Sequence, residues 1–165
     1  MKLIVMRHGE AESSNISDQA RNLTAYGISQ THKAGSWLVS HVLAENKIDV
    51  ALVSPFVRAQ QTYDGVLSQL SISSKVDVVE LVPDAKPRNS HRMVDHFLQQ
   101  HPNATSMILI SHMPLVSYLL DEILLTYQGA LFDTSSMAII DYDVETGLGE
   151  LTEFYHPSMS DLGNN

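Results

Sequence analysis

The sequence predicts an α/β fold in which a mostly parallel sheet is flanked on both sides by helices, forming three layers in a single domain. Short apolar runs rich in β-branched residues alternate with longer segments of helical composition, and such alternation indicates right-handed crossovers between parallel strands. The chain has 165 residues, of which 44% are hydrophobic. That is enough to bury a core on both faces of one sheet.

Five apolar runs are predicted strands, because each is short and is bounded by Gly, Pro, Ser or charged residues. They are Lys2–Met6, Val50–Val53, Val76–Leu81, Met107–Ile110 and Met137–Tyr142. A further segment, Glu150–Tyr155, is expected to form a hairpin with the last of them across Thr146-Gly147.

Four segments between the strands are predicted helices. They are Thr24–Glu45, Arg58–Leu70, Asn89–Gln100 and Leu115–Tyr127. The third ends before Pro102 and the fourth begins after Pro114, positions that suit proline at helix boundaries. We expect residues 1–157 to form the domain and residues 158–165 to be a fraying C-terminal tail.

Composition excludes several classes of function. Nineteen acidic and ten basic side chains give a formal net charge of −9, which repels nucleic acid and anionic membranes. The N-terminal apolar run is far shorter than the ~20 residues of a membrane-spanning helix. The chain has no cysteine, which excludes thiolate chemistry and fits a reducing compartment. We therefore expect a cytoplasmic monomer that binds neither nucleic acid nor membrane.

Polar side chains follow the predicted strands at the points where those strands end. Arg7-His8-Gly9 follows the first strand, Ser54 to Arg58 follows the second, Glu80 lies near the end of the third, and Ser111-His112 follows the fourth. In α/β sheets, ligands collect at the carboxyl ends of the strands. The sequence therefore predicts that two histidines, two arginines and a carboxylate meet at one edge of the sheet.

These residue types suit the transfer of a phosphoryl group. The planar guanidinium groups of Arg7 and Arg58 match phosphoryl oxygens and stabilise the charge spread over them in the transition state. Nearby positive charge lowers the pKa of a histidine, which keeps a lone pair on His8 for attack. Gly9 permits close approach to an oxyanion, and His112 supplies a second donor. The side chains supply the positive charge, so we expect neither a metal nor a cofactor.

The segments Arg7-His8-Gly9, 54–62 and 111–114 together resemble the histidine phosphatase superfamily, also known as the RHG or phosphoglycerate-mutase-like fold. The small size and the segment 21–27 are most similar to SixA-type phosphohistidine phosphatases. The resemblance implies that His8 is phosphorylated and that Arg7, Arg58 and His112 clamp the phosphoryl oxygens. It also implies that Arg21 borders the pocket, although Arg21 could instead pair with Asp18 or Glu10 and hold the loop.

The role of Glu80 bears on whether the substrate is phosphohistidine or a phosphomonoester. A phosphomonoester needs an acid for its leaving alkoxide, whereas phosphohistidine has a weak P–N bond and an imidazole leaving group. Glu80 is the only strand-end carboxylate, and no distinctive motif surrounds it. The expected function is thus dephosphorylation of a phosphotransfer domain or phosphocarrier protein, whose side chain would enter an open pocket. A small phosphomonoesterase using Glu80 as acid and a non-catalytic phosphoprotein-binding module remain alternatives.

The other histidines on predicted helices are interpreted as solvated surface residues. They are His32, His41, His91, His96 and His101.

Overall fold

Strands and helices alternate along the chain in the computed structural model, which describes residues 1–13 and 17–157. The described elements are β1 (Lys2–Arg7), α1 (Ala25–His41), β2 (Lys47–Val53), α2 (Val57–Leu67), β3 (Ser71–Asp77), α3 (Pro87–Gln100), β4 (Ser106–Ser111), α4 (Leu115–Leu124), β5 (Met137–Asp143) and β6 (Leu148–Tyr155). Two single 3₁₀ turns lie at Asp18–Ala20 and Val79–Leu81. The predicted tail, 158–165, lies outside the described residues.

The six strands form one mixed sheet in the order β3-β2-β4-β1-β5-β6. The first four strands in this order are parallel to one another, and β5 and β6 pair as an antiparallel hairpin at the other edge. Gly147 in the hairpin turn has a φ of +70°, a conformation that glycine adopts without steric cost. The predicted α/β class and the C-terminal hairpin are confirmed.

Alternate side chains of each central strand enter two separate halves of the core. In β1, Leu3 and Val5 pack with residues of α3 and α4, whereas Ile4 and Met6 pack with residues of α1 and α2. Successive side chains of a strand point to opposite faces, so an unbroken apolar strand serves both layers. This arrangement is the predicted three-layer structure.

The predicted third strand, Val76–Leu81, is wrong in its position. The strand is Ser71–Asp77, at the edge of the sheet, where every other residue is exposed and the sequence is correspondingly polar. Val78 and Leu81 are buried because the chain leaves the sheet after β3 and turns them into the core. Hydrophobicity thus marked the buried turn instead of the half-exposed strand.

The predicted helices exist, and three of them end earlier than predicted. The first helix ends at His41 instead of Glu45, the second at Leu67, and the fourth at Leu124, where Leu125 takes a left-handed φ of +50°. At the start of α1, the side chain of Thr24 accepts a hydrogen bond from the backbone N–H of Gly27 and caps the helix. None of the described helices is long and apolar enough to cross a membrane.

Candidate active site

The loops after β1, β2 and β4 are neighbours because β4 lies between the other two strands. The backbone N–H of His8 donates to Ser111 O at 2.9 Å, and that of Ser54 donates to Ile110 O at 3.0 Å. These bonds continue the sheet pairing past the strand ends. They bring together the segments that carry His8, Ser54 and His112, as the sequence predicted.

His8 is held in one tautomer by hydrogen bonds to both ring nitrogens. Its Nδ1 lies 2.7 Å from the carbonyl oxygen of Gly9, which can only accept a proton, so Nδ1 carries the hydrogen. The Nε atom of Arg58 donates to Nε2 of His8 at 3.1 Å, so Nε2 holds the lone pair. The ring is 7% exposed, and burial, followed by the charges of Arg58 and Arg7, lowers its pKa to about 3. His8 is therefore neutral near pH 7.

Arg58 lies in the first turn of α2 and is only 3% exposed. Besides its bond to His8, it donates to the backbone oxygen of Asp18 at 2.6 Å and to Oδ2 of the same residue at 3.0 Å. Its guanidinium carbon also lies 5.0 Å from the centre of the Phe56 ring. A buried arginine stays charged, so Arg58 brings a fixed cation to the lone pair of His8.

Arg7 and His112 each present an unpaired nitrogen. Arg7 donates from one terminal nitrogen to Phe132 O at 2.7 Å, while its buried Nε has no partner among the described residues. Nε2 of His112 lies 2.7 Å from the hydroxyl of Ser54, and its buried Nδ1 likewise lacks a partner there. Buried polar atoms without partners are rare, which points to a ligand that completes them.

The two histidine rings lie close together at the centre of the site, tilted by 56° to each other. Their centroids lie 5.0 Å apart. His112 is 1% exposed, and burial, followed by the proximity of His8 and Arg58, lowers its pKa to about 2. Two neutral imidazoles and two guanidinium groups thus form a cluster whose net charge is positive, within a protein whose overall charge is negative.

Gly9 is fixed by packing and by Thr62. A side chain on Gly9 would place Cβ 2.8 Å from the carbonyl oxygen of Gly27 in α1, so only glycine lets the loop approach that helix. The N–H of Gly9 donates to the hydroxyl of Thr62 at 3.0 Å, and that hydroxyl donates to Arg58 O at 2.6 Å. Close packing against α1 is therefore a second physical reason for a glycine at position 9, in addition to the predicted contact with an oxyanion.

Arg21 reaches the cluster through Asp18. It donates to Glu12 O at 2.6 Å and to Oδ1 of Asp18 at 2.9 Å, while the other carboxylate oxygen of Asp18 binds Arg58. The pairing with Asp18 that the sequence left open is present. Asp18 is thus shared by two arginines and places an anion against Arg58.

Comparison with known proteins shows the family to which this chain belongs. A model of the histidine phosphatase superfamily, branch 1, matches residues 3–81. Phosphohistidine phosphatase SixA of Escherichia coli (strain K12) is 34% identical over 151 residues, which cover 90% of this chain and 89% of the relative. The phosphohistidine phosphatase SixA homolog of Haemophilus influenzae is 36% identical over 128 residues, which cover 74% and 77%. The chain belongs to the histidine phosphatase superfamily.

The similarity extends to three dimensions. A solved structure of the protein histidine phosphatase SixA complexed with tungstate superposes with a TM-score of 0.88 at 31% identity, covering 97% of this chain and 99% of the other. The family resemblance predicted from the three segments is confirmed, and within the superfamily this chain is similar to the SixA proteins.

Glu80 has a different setting from the one the sequence suggested. It lies in the 3₁₀ turn after β3 instead of at a strand end, and its backbone oxygen accepts a hydrogen bond from the Ser90 hydroxyl at 2.6 Å. No hydrogen bond joins its carboxylate to the described residues. The turn still borders the site, because the hydroxyl of Ser111 donates to Leu81 O at 2.7 Å.

Three residues of this candidate site were not proposed as site residues from the sequence. Thr62 lies one helical turn after Arg58, so its spacing could have placed it on the same face of α2. Ser54 begins the motif that contains Arg58. Asp18 gave no local signal except its distance of three residues from Arg21.

The interpretation of His91 as a solvated surface residue is wrong. Its Nε2 lies 2.9 Å from the hydroxyl of Tyr142, which donates to Asp95 at 2.6 Å, and burial raises the pKa of Tyr142. These groups join α3 to β5. Within the part of the chain that the structure describes, no three His, Asp or Glu side chains are grouped closely enough to hold a metal ion.

Proposed function

We propose that this protein is a phosphohistidine phosphatase in which Nε2 of His8 attacks the phosphorus of a histidine-phosphorylated protein. The observation that carries the proposal is the pair of hydrogen bonds on His8. Gly9 O fixes the proton on Nδ1, and Arg58 directs its Nε at the lone pair on Nε2. A nitrogen nucleophile must be unprotonated at neutral pH, and Nε2 of His8 meets this condition. When the substrate binds, Arg58 exchanges Nε2 for a phosphoryl oxygen, which frees the lone pair for attack.

The proposed reaction has two displacements. In the first, the Nε2 lone pair forms a bond to phosphorus as the P–N bond of the substrate breaks, and the leaving imidazole takes a proton from solvent. In the second, water attacks phospho-His8, which releases phosphate and restores the neutral ring. Arg7, Arg58 and His112 stabilise the three equatorial oxygens in both steps. Arg7 Nε and His112 Nδ1 are the unpaired donors suited to this task.

The leaving group favours phosphohistidine over a phosphomonoester. Asp18 is the carboxylate hydrogen-bonded to Arg58, and bonds from Arg21 and Arg58 hold its pKa below its usual range. It is ionised at neutral pH and cannot protonate an alkoxide. An imidazole leaves without such help.

The relatives support the substrate class. Two of them are named phosphohistidine phosphatases, and a solved relative is complexed with tungstate, a tetrahedral oxyanion similar in shape to phosphate. A cradle of guanidinium and imidazole donors in the same fold suits such an anion.

Exposed apolar side chains on α4 and on the loop that follows it support a protein as the substrate. The loop after α4 folds back along that helix, since the N–H of Gln128 donates to Asp121 and the hydroxyl of Ser117 donates to Ala130 O. Four large apolar side chains of this segment are exposed, and we call them the apolar strip: Tyr118, Leu125, Tyr127 and Leu131. The strip ends at Phe132, whose carbonyl oxygen holds Arg7. We propose that a phosphotransfer domain or phosphocarrier protein docks on this apolar strip with its phosphohistidine at His8.

The test is to incubate the protein with a ³²P-phosphohistidine phosphocarrier protein and, separately, with a generic phosphomonoester. Phosphate release from the carrier, with acid-labile label on the wild-type enzyme and none on His8→Ala, is the expected result. Tight binding with the label kept on the carrier would instead identify a phosphoprotein-binding module. Rapid ester turnover alone would identify a phosphomonoesterase.

The docking surface has its own test. Leu131→Asp should raise KM for the phosphorylated carrier about tenfold, because a charge replaces an apolar contact beside the site. The matched control is Leu148→Asp in β6, an exposed leucine outside the strip, which should leave KM unchanged. Equal KM values for both variants would show that the strip does not bind the carrier.

A further inference from the structure

We propose that Ser54 is a positioning residue that fixes His112 in the tautomer carrying its proton on Nδ1, which makes that nitrogen a donor to the phosphoryl group. The inference rests on the proposed function for its chemical consequence. The hydrogen bond itself involves only Ser54 and His112, two buried side chains that the sequence analysis did not connect.

The hydrogen bond between Ser54 and His112 can be formed in two ways. Either the serine hydroxyl donates to a bare Nε2, or a protonated Nε2 donates to the serine oxygen. The two atoms lie 2.7 Å apart, and both residues are almost fully buried. Solvent therefore cannot supply a partner for a donor or acceptor that this hydrogen bond leaves unsatisfied. A neutral imidazole carries one proton, so the choice at Nε2 decides the state of Nδ1.

The surroundings of the Ser54 oxygen favour the first arrangement. The backbone N–H of Phe56 already points at this oxygen at 3.4 Å, so the oxygen acts as acceptor there and its own proton is free to donate. Among the described residues, His112 Nε2 is the acceptor available to that proton. If Nε2 were protonated, the buried serine oxygen would face two donors and its own hydrogen would have no acceptor, which is costly away from water.

The first arrangement leaves a proton on Nδ1 of His112, and that atom is buried without a partner among the described residues. The ring lies beside the nucleophile, with its centroid 5.0 Å from that of His8. An unpaired N–H at this position matches the oxygen of a phosphoryl group in transfer to His8. The opposite tautomer would present a lone pair to that oxygen and would repel it.

A choice between two tautomers exists only for a neutral ring, and the His112 ring is neutral. Burial, together with His8, Arg58 and Arg7, lowers the pKa of His112, while Asp18 opposes this effect. The ring therefore cannot protonate both nitrogens at neutral pH, and a second residue has to select which nitrogen carries the hydrogen. Ser54 is in contact with the ring and is able to do so.

The first experiment determines the tautomer directly, by ¹⁵N NMR of the whole 165-residue chain with labelled histidine at pH 7. In the wild type, the His112 signals should show a protonated Nδ1 and a bare Nε2. Ser54→Ala should give a mixture of the two tautomers, and Ser54→Thr, which keeps the hydroxyl, should restore the wild-type pattern. A protonated Nε2 in the wild type would overturn the proposal whether or not the protein cleaves phosphohistidine.

The second experiment measures the consequence for catalysis with a phosphohistidine carrier protein. Ser54→Ala should lower kcat about tenfold with little change in KM. In the molecules that adopt the other tautomer, Nδ1 of His112 carries no proton and cannot donate to the charge that develops in the transition state. In a His112→Ala background, the same change should lower kcat less than twofold, since Ser54 acts through His112. An equal loss in both backgrounds would show a general structural role and would overturn the proposal.

Ser111→Ala provides the matched control. Ser111 is also fully buried, is adjacent to His112, and donates its hydroxyl to Leu81 O instead of to the ring. Its loss should lower the melting temperature and leave the ¹⁵N pattern of His112 unchanged. Should Ser54→Ala fail to fold, the wild-type tautomer and the Ser54→Thr variant still decide the question.

Discussion

The Nε atom of Arg58 donates a hydrogen bond to Nε2 of His8 at 3.1 Å, while the two terminal nitrogens of the same guanidinium bind Asp18. One buried arginine therefore connects the ring that we propose as the nucleophile to an anion. The rigid fork of a guanidinium can make these bonds at once, and a lysine ammonium cannot.

Arg58→Lys should lower kcat for phosphohistidine by about 100-fold or more, because removal of a donor to developing phosphoryl charge typically has that effect. Lysine keeps the charge, so the loss tests the geometry of the fork. Single-turnover phosphate release provides the measurement. Arg92→Lys, at an exposed position of α3, is the control and should retain full activity. More than a tenth of wild-type kcat in Arg58→Lys would contradict the proposed role.

The buried histidines should make the protein less stable as pH falls below about 6.5. Their folded-state pKa values are about 3 for His8 and about 2 for His112, both below the unfolded value, so the unfolded chain binds protons first. Stability is then lost as pH falls, by about 1.4 kcal/mol for each ring between pH 7.5 and pH 5.5. Urea denaturation at these two pH values measures the free energy of unfolding.

Variants separate the two rings from other titrating groups. His8→Gln and His112→Gln should each reduce the loss between pH 7.5 and pH 5.5 by about 1.4 kcal/mol, because glutamine does not titrate. His32→Gln, which removes an exposed histidine of α1, should leave the loss unchanged. An unchanged loss in all three variants would show that neither buried ring has a depressed pKa.

Asp18→Asn should tighten the binding of tungstate or phosphate about threefold to tenfold at low ionic strength. The Asp18 carboxylate is 56% exposed and is bonded to Arg58, so its charge competes with an incoming oxyanion but is partly screened by solvent. Isothermal titration calorimetry with tungstate measures the change. Glu45→Gln, at the opposite end of the sheet, controls for net charge. Weaker binding in Asp18→Asn would mean that Asp18 mainly orients Arg58.

Thr62→Val should destabilise the fold by about 1–3 kcal/mol and also lower activity. Valine has nearly the same shape but leaves the buried N–H of Gly9 without its acceptor, a cost of this size. Urea denaturation measures the stability. Thr152→Val in β6 is the control. Its hydroxyl donates to Ile139 O at 3.0 Å, but the side chain is exposed, so water can replace this bond and the free energy of unfolding should change by less than about 1 kcal/mol. Equal effects of the two substitutions would show that the hydrogen bond from Gly9 to Thr62 contributes no more than an exposed one.

The fold was predictable to the extent that each strand has a buried, unbroken apolar sequence. Strands β1 and β4 are buried on both faces by helices, and their apolar runs were found at nearly the correct positions. Strand β3 was misplaced because an edge strand with one exposed face needs few apolar residues. Its place at the edge depends on which strands pair, and that information is not local.

The geometry of the candidate site was predictable in outline for a related reason. His8, Arg58 and His112 each follow a strand, and parallel strands bring their carboxyl ends to one edge. Glu80 was expected at a strand end because the third strand was misplaced. The pairing of Asp18 with Arg21 was one of the alternatives that the sequence left open. The contact of Asp18 with Arg58 could not be predicted, because it joins two segments 40 residues apart in the chain.

The sequence by itself determined the α/β class, the family and the identity of the residues that gather at the edge of the sheet, because hydrophobic period and short motifs are local properties. The tertiary structure alone decided the strand order, the sharing of Asp18 by two arginines, the support of Gly9 by Thr62 and the pairing of Ser54 with His112. Each of these depends on two segments far apart in the chain that meet only when the sheet is assembled and its helices are packed.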